Sequence, residues 1–271
     1  MKKTLEISQS AVMFVGLLLV VAVGFTGYLY GKVTSLEKGG TAPTAQQQAA
    51  QPAQANVTQD QVKALFDGKN ISFGNKDSKV LFIEFSDPSC PYCHIAGGKN
   101  AALNKQAGAQ FMLKEDGGTY VAPVLEMKKL VDEGKAGFVW LYANGHGAGE
   151  SATRALYCAH EKGKFWEASD KLMNADGYAL MNTKMEKDAN GRALENAGNR
   201  QLLVDFLKPV VDAGFMKDCL GGDKFKDRLT SDMQIASQFG FEGTPSFFVN
   251  TKKFGGAYSW TDIKPTVDAE L

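Results

Sequence analysis

The distribution of apolar residues along the chain predicts a mixture of strands and helices. Residues 80–85 (Val-Leu-Phe-Ile-Glu-Phe) and 138–142 (Phe-Val-Trp-Leu-Tyr) form almost continuous apolar runs, which are typical of strands buried on both faces of a sheet. Elsewhere, apolar residues at spacings of three and four predict helices. The predicted helices cover residues 57–66, 95–106 with an interruption at Gly97-Gly98, 124–133, 152–160, 165–173, 201–207 and 225–239.

Shorter apolar runs complete the predicted sheet. Further strands are predicted at residues 71–73, 246–250 and 254–258, with a turn at 251–253 between the last two. A final helix begins at Thr261, whose hydroxyl can cap it, and ends near residue 270. The order strand, helix, strand, helical block, two strands and helix indicates an α/β sheet with an all-helical insertion at about residues 144–239.

The first fifth of the chain has a different character. Residues 11–30 are almost wholly apolar, and an apolar helix of about 20 residues spans a hydrocarbon core of about 30 Å. We therefore predict a transmembrane anchor here, after a short cytoplasmic N-terminus at residues 1–10; a cleavable signal peptide is the alternative. Residues 31–56 lack apolar periodicity and predict a disordered linker. The globular domain is expected at residues 57–271.

Charge and cysteine content narrow the classes of function. The 271-residue chain has 30 basic and 30 acidic residues, so no broad positive field suggests nucleic acid as a partner. Four cysteines are few for this length, so the core has to come from apolar packing and not from a disulfide framework. The cysteines are therefore expected to serve a local purpose.

Two of the cysteines stand where the first buried strand gives way to a helix. A helix N-terminus lowers the pKa of a thiol, because its backbone N–H groups and its dipole favour the thiolate. Cys93, one turn after Cys90, can form a disulfide with it or attack a mixed disulfide formed through it. Pro91 suits the first helical turn because it has no N–H that needs a partner. The pattern predicts a redox pair.

The same motif has three other interpretations. Cys90, Cys93 and the following His94 match a c-type haem attachment pattern, although no second haem ligand can be named. A zinc site would need a second pair of ligands, which Cys158 and Cys219 do not supply. A structural disulfide across so short a loop would constrain little of the unfolded chain. The sequence therefore favours a redox pair with no metal and no cofactor.

Three separated motifs together resemble the thioredoxin superfamily. In chain order they are a buried strand with Glu84 six residues before the first cysteine, Cys-Pro-Tyr-Cys at residues 90–93, and Gly-Thr-Pro-Ser-Phe-Phe at residues 243–248. The helical block, with Tyr-Cys-Ala at residues 157–159 and Gly-Lys-Phe-Trp at 163–166, is similar to that of the DsbA-like thiol:disulfide oxidoreductases. The resemblance covers about residues 57–271 and implies a thioredoxin fold with an inserted all-helical domain.

The resemblance implies a role for each matching residue. Cys90 would be the nucleophile that forms the mixed disulfide, and Cys93 the resolving thiol. Glu84 would be the buried acid that exchanges a proton with the resolving thiol, and a strand-end carboxylate that reaches water is the alternative. Pro245 matches the cis-proline that lies against the cysteine pair. Thr244 would present its backbone to an extended substrate segment.

Residues beside the cysteines are expected to tune the pair. These are Pro91, Tyr92 and His94, although a position on the helix surface is an equally good interpretation of His94. The resemblance also implies a structural disulfide between Cys158 and Cys219, because some family members carry a second disulfide in the insertion. Two free buried thiols are the alternative.

The expected function is disulfide exchange outside the cytoplasm. The resemblance implies a periplasmic or extracellular catalytic domain that acts on reduced or misoxidised exported proteins, and the apolar run at residues 11–30 would anchor it to the membrane. Because only a linker and a few residues precede the sheet, with no sizeable dimerisation domain, a monomer is expected. A membrane partner of the DsbB or vitamin K epoxide reductase type would reoxidise it. Tyr92 and Thr244 also resemble the DsbG-type proteins, so an isomerase or reductase is the first alternative. A redox-inert peptide-binding or chaperone module on the same fold is the second.

Overall fold

The computed structural model describes residues 56–222 and 224–271. The predicted cytoplasmic N-terminus, the predicted membrane anchor and nearly all of the predicted linker lie outside these residues. Within the described ranges, no helix is both long enough and apolar enough to cross a bilayer.

A five-stranded sheet forms the centre of the described region. Its strands are β1 (Ile71–Phe73), β2 (Val80–Ser86), β3 (Ala136–Tyr142), β4 (Ser246–Val249) and β5 (Lys252–Gly255). Their spatial order is β1-β3-β2-β4-β5; β2 and β3 are parallel, and every other neighbouring pair is antiparallel. Both β2 and β3 are buried along their whole length, which explains their nearly unbroken apolar sequence.

Helices flank the sheet and form the insertion. In chain order they are α1 (Gln59–Ala64), α2 (Pro91–Gly97), α3 (Ala101–Gln106), α4 (Pro123–Asp132), α5 (Glu150–Glu161), α6 (Phe165–Leu172), α7 (Ala175–Ala179), α8 (Ala197–Leu207), α9 (Ala213–Leu220), α10 (Lys226–Gln238) and α11 (Trp260–Asp268). A π-helical turn, Leu180–Lys184, follows α7, and the 3₁₀ turns Ala109–Phe111 and Lys114–Asp116 precede α4. Helices α5 to α10 all lie between β3 and β4, where an all-helical insertion was predicted.

Apolar packing on the two faces of the sheet holds these layers together. The larger cluster joins one face to the insertion and contains Phe82, Phe138 and Phe165. The smaller cluster covers the other face and contains Ile83. Because successive side chains of a strand point to opposite faces, Glu84 lies on the same face as Phe82, next to the insertion.

A disulfide between Cys158 and Cys219 joins α5 to α9 inside the insertion. The two Cα atoms are 6.1 Å apart, which is within the usual range for disulfides. Neither sulfur is part of the Cys90-Cys93 pair, and Cys158 is fully buried in the larger apolar cluster. The bridge therefore serves the packing of the insertion.

The structure corrects several of the predicted elements. The helix predicted over residues 95–106 is two helices, because Gly98 adopts a left-handed conformation (φ 65°) that ends α2. Strand β5 begins at Lys252, inside the predicted turn, since the two residues after β4 complete the reversal. Ser259, and not Thr261, caps α11. The sequence pattern does not predict α7 and α9, which are short and each contain a glycine.

Candidate active site

The Cys90-Cys93 pair lies at the start of α2, directly after the loop that follows β2. Cys90 is the N-cap residue of this helix, and Pro91 occupies its first turn, where the missing N–H leaves no partner unsatisfied. Both thiols are free. Cys90 is 2% exposed and Cys93 is 0% exposed, so the pair lies just beneath the protein surface.

The surroundings of Cys90 favour its thiolate and lower its pKa to about 6. The main cause is a hydrogen bond from the Cys93 thiol. The Thr244 side chain and the backbone N–H groups of Cys93 and Tyr92 lower the Cys90 pKa further, whereas burial raises it. The Cys90 sulfur also lies 3.4 Å from the Thr244 carbonyl oxygen, to which the protonated thiol donates. Cys90 is therefore the more acidic and more reactive of the two thiols.

Cys93 lies in the opposite kind of environment. Burial raises the pKa of its thiol well above the usual value, and the neighbouring Cys90 sulfur raises it further. Its sulfur accepts a hydrogen bond from the Asp87 backbone N–H at 3.4 Å. The Met173 side chain, at the end of α6, packs with both sulfurs in one small apolar cluster. At neutral pH the pair therefore carries a single thiolate, on Cys90.

Glu84 is a buried acid on β2, the strand that leads to the Cys90-Cys93 pair. It is 4% exposed, and burial raises the pKa of its carboxyl to about 7. The alternative of a strand-end carboxylate in contact with bulk water is therefore wrong, since Glu84 lies within β2 and is buried. The Ser86 side chain lowers the pKa of both Glu84 and Cys93, against the larger effect of burial. Glu84 and Ser86 also line a narrow cavity of about 20 Å³, enough for one water molecule.

The loop before β4 supplies the other side of the site. The Thr244-Pro245 peptide bond is cis, and the Thr244 carbonyl faces the Cys90 sulfur. Gly145, in the loop after β3, makes room for this arrangement, because a Cβ at that position would overlap the Thr244 hydroxyl. The fold thus brings Thr244 and Pro245 beside a cysteine that is more than 150 residues away in sequence.

Tyr92 and His94, which flank Cys93 in α2, differ in exposure. Tyr92 is 47% exposed and packs edge-on against Phe111. His94 is 0% exposed, so its interpretation as a helix-surface residue is wrong. Its Nδ1 lies 2.8 Å from the Met173 carbonyl oxygen and its Nε2 lies 2.8 Å from the Pro88 carbonyl oxygen. Burial lowers the pKa of the imidazole, while both carbonyls work in the opposite direction.

Several residues of the site were not predicted from the sequence. Ser86, Asp87 and Met173 all contact the redox pair, yet none belongs to a spacing pattern that indicates catalysis. The only available signal was an acid three residues before Cys90, in the loop that had to connect the strand to α2. Among the described residues, no group of three or more His, Cys, Asp or Glu side chains is placed to hold a metal ion.

Comparison with known protein families identifies the family to which the chain belongs. A family model described as Thioredoxin matches residues 123–269, which is more than half of the chain. The chain belongs to the thioredoxin family. The matched segment contains Pro245 and the whole insertion, and it begins after the cysteine pair.

Individual relatives are named for disulfide chemistry. Disulfide bond formation protein D of Bacillus subtilis is 22% identical over 205 residues, which cover 73% of this chain and 75% of that protein. A putative protein-disulfide oxidoreductase of Rickettsia felis is 27% identical over 216 residues, 78% of this chain and 64% of that protein. The chain spans only 22% of another relative, the Na(+)/H(+) antiporter NhaA 3 of Salinispora tropica.

The fold is shared with a solved structure. The crystal structure of oxidised BdbD from Bacillus subtilis matches with a TM-score of 0.51 and 19% identity, covering 75% of this chain and 93% of that one. The predicted resemblance to DsbA-like thiol:disulfide oxidoreductases is thus confirmed, together with the enzyme class and the thioredoxin fold with its helical insertion.

Proposed function

We propose that this protein introduces disulfides into reduced exported proteins, with Cys90 and Cys93 as the redox pair. The observation that carries the proposal is the contrast between the two sulfurs: the pKa of Cys90 is lowered to about 6, and that of Cys93 is raised. A stabilised Cys90 thiolate favours the reduced enzyme, which makes the enzyme disulfide a strong electron acceptor. It also makes Cys90 a good leaving group from a mixed disulfide.

The first step starts from the oxidised enzyme, in which a disulfide joins Cys90 and Cys93. A substrate thiolate attacks the Cys90 sulfur, a new S–S bond forms between substrate and Cys90, and the bond to Cys93 breaks with its electron pair on Cys93. Burial disfavours a Cys93 thiolate, so this sulfur takes up a proton. Glu84, with a pKa of about 7, can supply that proton through the Ser86 hydroxyl.

In the second step, another substrate thiolate attacks the substrate sulfur of the mixed disulfide. The substrate leaves with its own disulfide, and Cys90 is released as the thiolate that its surroundings stabilise. Two electrons have then passed from substrate to enzyme. A membrane reoxidase of the DsbB or vitamin K epoxide reductase type would remove them, and an anchor at residues 11–30 would hold a monomeric, extracytoplasmic domain near it. The names of the two relatives support this scheme.

The reduction potential of the pair tests the direction of electron flow. Equilibration with glutathione should give a value near that of a strong oxidase, about −120 mV; a value near that of thioredoxin, about −270 mV, would indicate a reductase instead. Efficient repair of a scrambled substrate, combined with poor oxidation of a reduced one, would favour the isomerase alternative.

Cysteine variants test the mechanism itself. Cys90→Ser should abolish oxidation of a reduced substrate protein, and Cys93→Ser should accumulate the mixed disulfide. The control replaces Cys158 and Cys219 with serine, which removes the other disulfide and leaves the redox pair intact. If Cys90→Ser and Cys93→Ser both behaved like the wild-type protein, the chain would be a redox-inert binding module.

A further inference from the structure

The three residues that connect β2 to Cys90 are each tied to a different part of the helical insertion. We call residues 87–89 (Asp-Pro-Ser) the approach loop. The Cys90 backbone N–H donates to the Asp87 carbonyl oxygen at 2.9 Å, so the position of this loop determines the position of the N-cap residue of α2. The ties to the insertion run through an Asp87 carboxylate, a Pro88 carbonyl and a Ser89 carbonyl.

The first tie starts at the fully buried carboxylate of Asp87. Its Oδ2 accepts the backbone N–H groups of Gly145 (2.9 Å) and His146 (2.8 Å), at the start of the insertion. Its Oδ1 accepts the N–H (2.8 Å) and the hydroxyl (2.7 Å) of Ser89. Four donors satisfy the carboxylate, as a buried charge requires. A Cβ at Gly149 would overlap this carboxylate, so the loop after β3 is shaped around it.

The second tie runs through the His94 ring. The ring lies between the Pro88 and Met173 carbonyl oxygens, 2.8 Å from each, and the neutral imidazole donates its single N–H to one of them at a time. Met173 ends α6, and its side chain packs against both sulfurs of the redox pair. The His94 ring therefore packs between the approach loop and the insertion, beside the Cys90-Cys93 pair.

The third tie starts on the π-helical turn. The Asn182 side-chain amide donates to the Ser89 carbonyl at 3.1 Å and to the Tyr178 carbonyl at 3.2 Å. Tyr178 also packs edge-on against the His94 ring, with 4.9 Å between ring centroids. π-helical turns are rare and occur often at functional sites. Here the turn directs an amide donor at the residue next to Cys90.

We infer that Asn182 is a positioning residue for the Cys90-Cys93 pair, holding the approach loop so that the Cys90 sulfur keeps its place between the start of α2 and the Thr244 carbonyl. The backbone N–H groups of Tyr92 and Cys93 are among the groups that stabilise the thiolate. A displaced Cys90 loses part of that stabilisation, because hydrogen bonds weaken steeply with distance and angle. The effect on catalysis rests on the proposed function; the effect on the thiolate does not.

A pair of asparagine variants tests the inference. Asn182→Ala removes the amide donor to Ser89, whereas Asn199→Ala removes a buried amide that bonds to Glu186 and Leu194 within the insertion. The thiolate fraction of Cys90 is followed by ultraviolet absorbance of the reduced protein across pH. We expect Asn182→Ala to shift the equilibrium about three- to tenfold toward the thiol, in keeping with one weakened hydrogen bond. Asn199→Ala should lower thermal stability and leave this equilibrium unchanged.

Two outcomes would overturn the inference: a Cys90 equilibrium that Asn182→Ala does not move, or one that both variants move equally. Asn182→Leu keeps the branched shape of the side chain and replaces its two polar atoms with methyl groups, so it removes the hydrogen bond without leaving a cavity, and the same shift is expected. Failure of the proposed function would look different. Wild-type protein with a low reduction potential or no oxidase activity would still show the Asn182-dependent shift at Cys90.

Discussion

Replacing Glu84 by glutamine should stabilise the protein at neutral and alkaline pH and change its stability little in acid. The wild-type carboxyl is 4% exposed, and burial raises its pKa from 4.5 to about 7. The folded protein therefore holds this proton more tightly than the unfolded chain does. The stability linked to the proton is fully present below pH 4.5 and is lost as the pH rises through about 7.

The size of the effect follows from the two pKa values. A rise from 4.5 to about 7, at about 1.4 kcal/mol for each pH unit, corresponds to about 3 kcal/mol. Glutamine has nearly the same size and carries no charge, so the variant does not lose this stability. The gap between Glu84→Gln and wild type should open between pH 4.5 and about 7 and stay constant above that range.

Urea unfolding of the reduced proteins, repeated across this pH range, measures the gap directly. Glu115→Gln, at a solvent-exposed carboxyl, is the matched control and should follow the wild-type profile. A gap for Glu84→Gln that is the same at every pH would refute the reasoning, because the variant would then differ in packing and not in ionisation. Glu84 would in that case lose its place as the proton donor to Cys93.

The sulfur chemistry and the packing of the insertion give further tests. Iodoacetamide should modify Cys90 in proportion to its thiolate, with a rate that rises through about pH 6, and should spare Cys93 until strongly alkaline pH. Peptide mass spectrometry measures both, and equal rates would contradict the assignment. In urea without reductant, replacing Cys158 and Cys219 together with serine should lower the free energy of unfolding by about 4 kcal/mol, since the bridge closes a loop with a sequence separation of 61. Phe165→Ala, at a 2% exposed core position, should lower it by about 3–5 kcal/mol in the same urea assay while leaving Cys90 alkylation unchanged.

Local sequence patterns were sufficient to predict most of the sheet and the longer helices. Strands β2 and β3 could be found because burial on both faces leaves an apolar run that needs no partner to be recognised. The break between α2 and α3 was visible as Gly97-Gly98, but only the structure shows that Gly98 takes the left-handed conformation. Short helices such as α7 contain too few turns to establish a period.

The residues of the proposed redox pair and its surroundings divide in the same way. Cys90 and Cys93 are close in sequence, so their spacing was enough to indicate a redox pair. The residues that hold the pair in place were not predictable, because their partners are distant in sequence: 58 residues separate Asp87 from Gly145, and 93 separate Ser89 from Asn182. Such contacts depend on how the insertion packs on the sheet, and a single sequence carries no pattern for that.

The burial of His94 illustrates why this limit matters for function. A seven-residue helix has too few positions to show which face is covered, and α2 is in fact buried at every position from Cys93 to its end. The insertion covers His94 through Met173 and Tyr178. Of the residues between the cysteines and in the rest of this helix, only Tyr92 is largely exposed. We therefore expect a substitution of the Tyr92 side chain to change the surface beside Cys90 and to leave the buried packing of α2 unchanged.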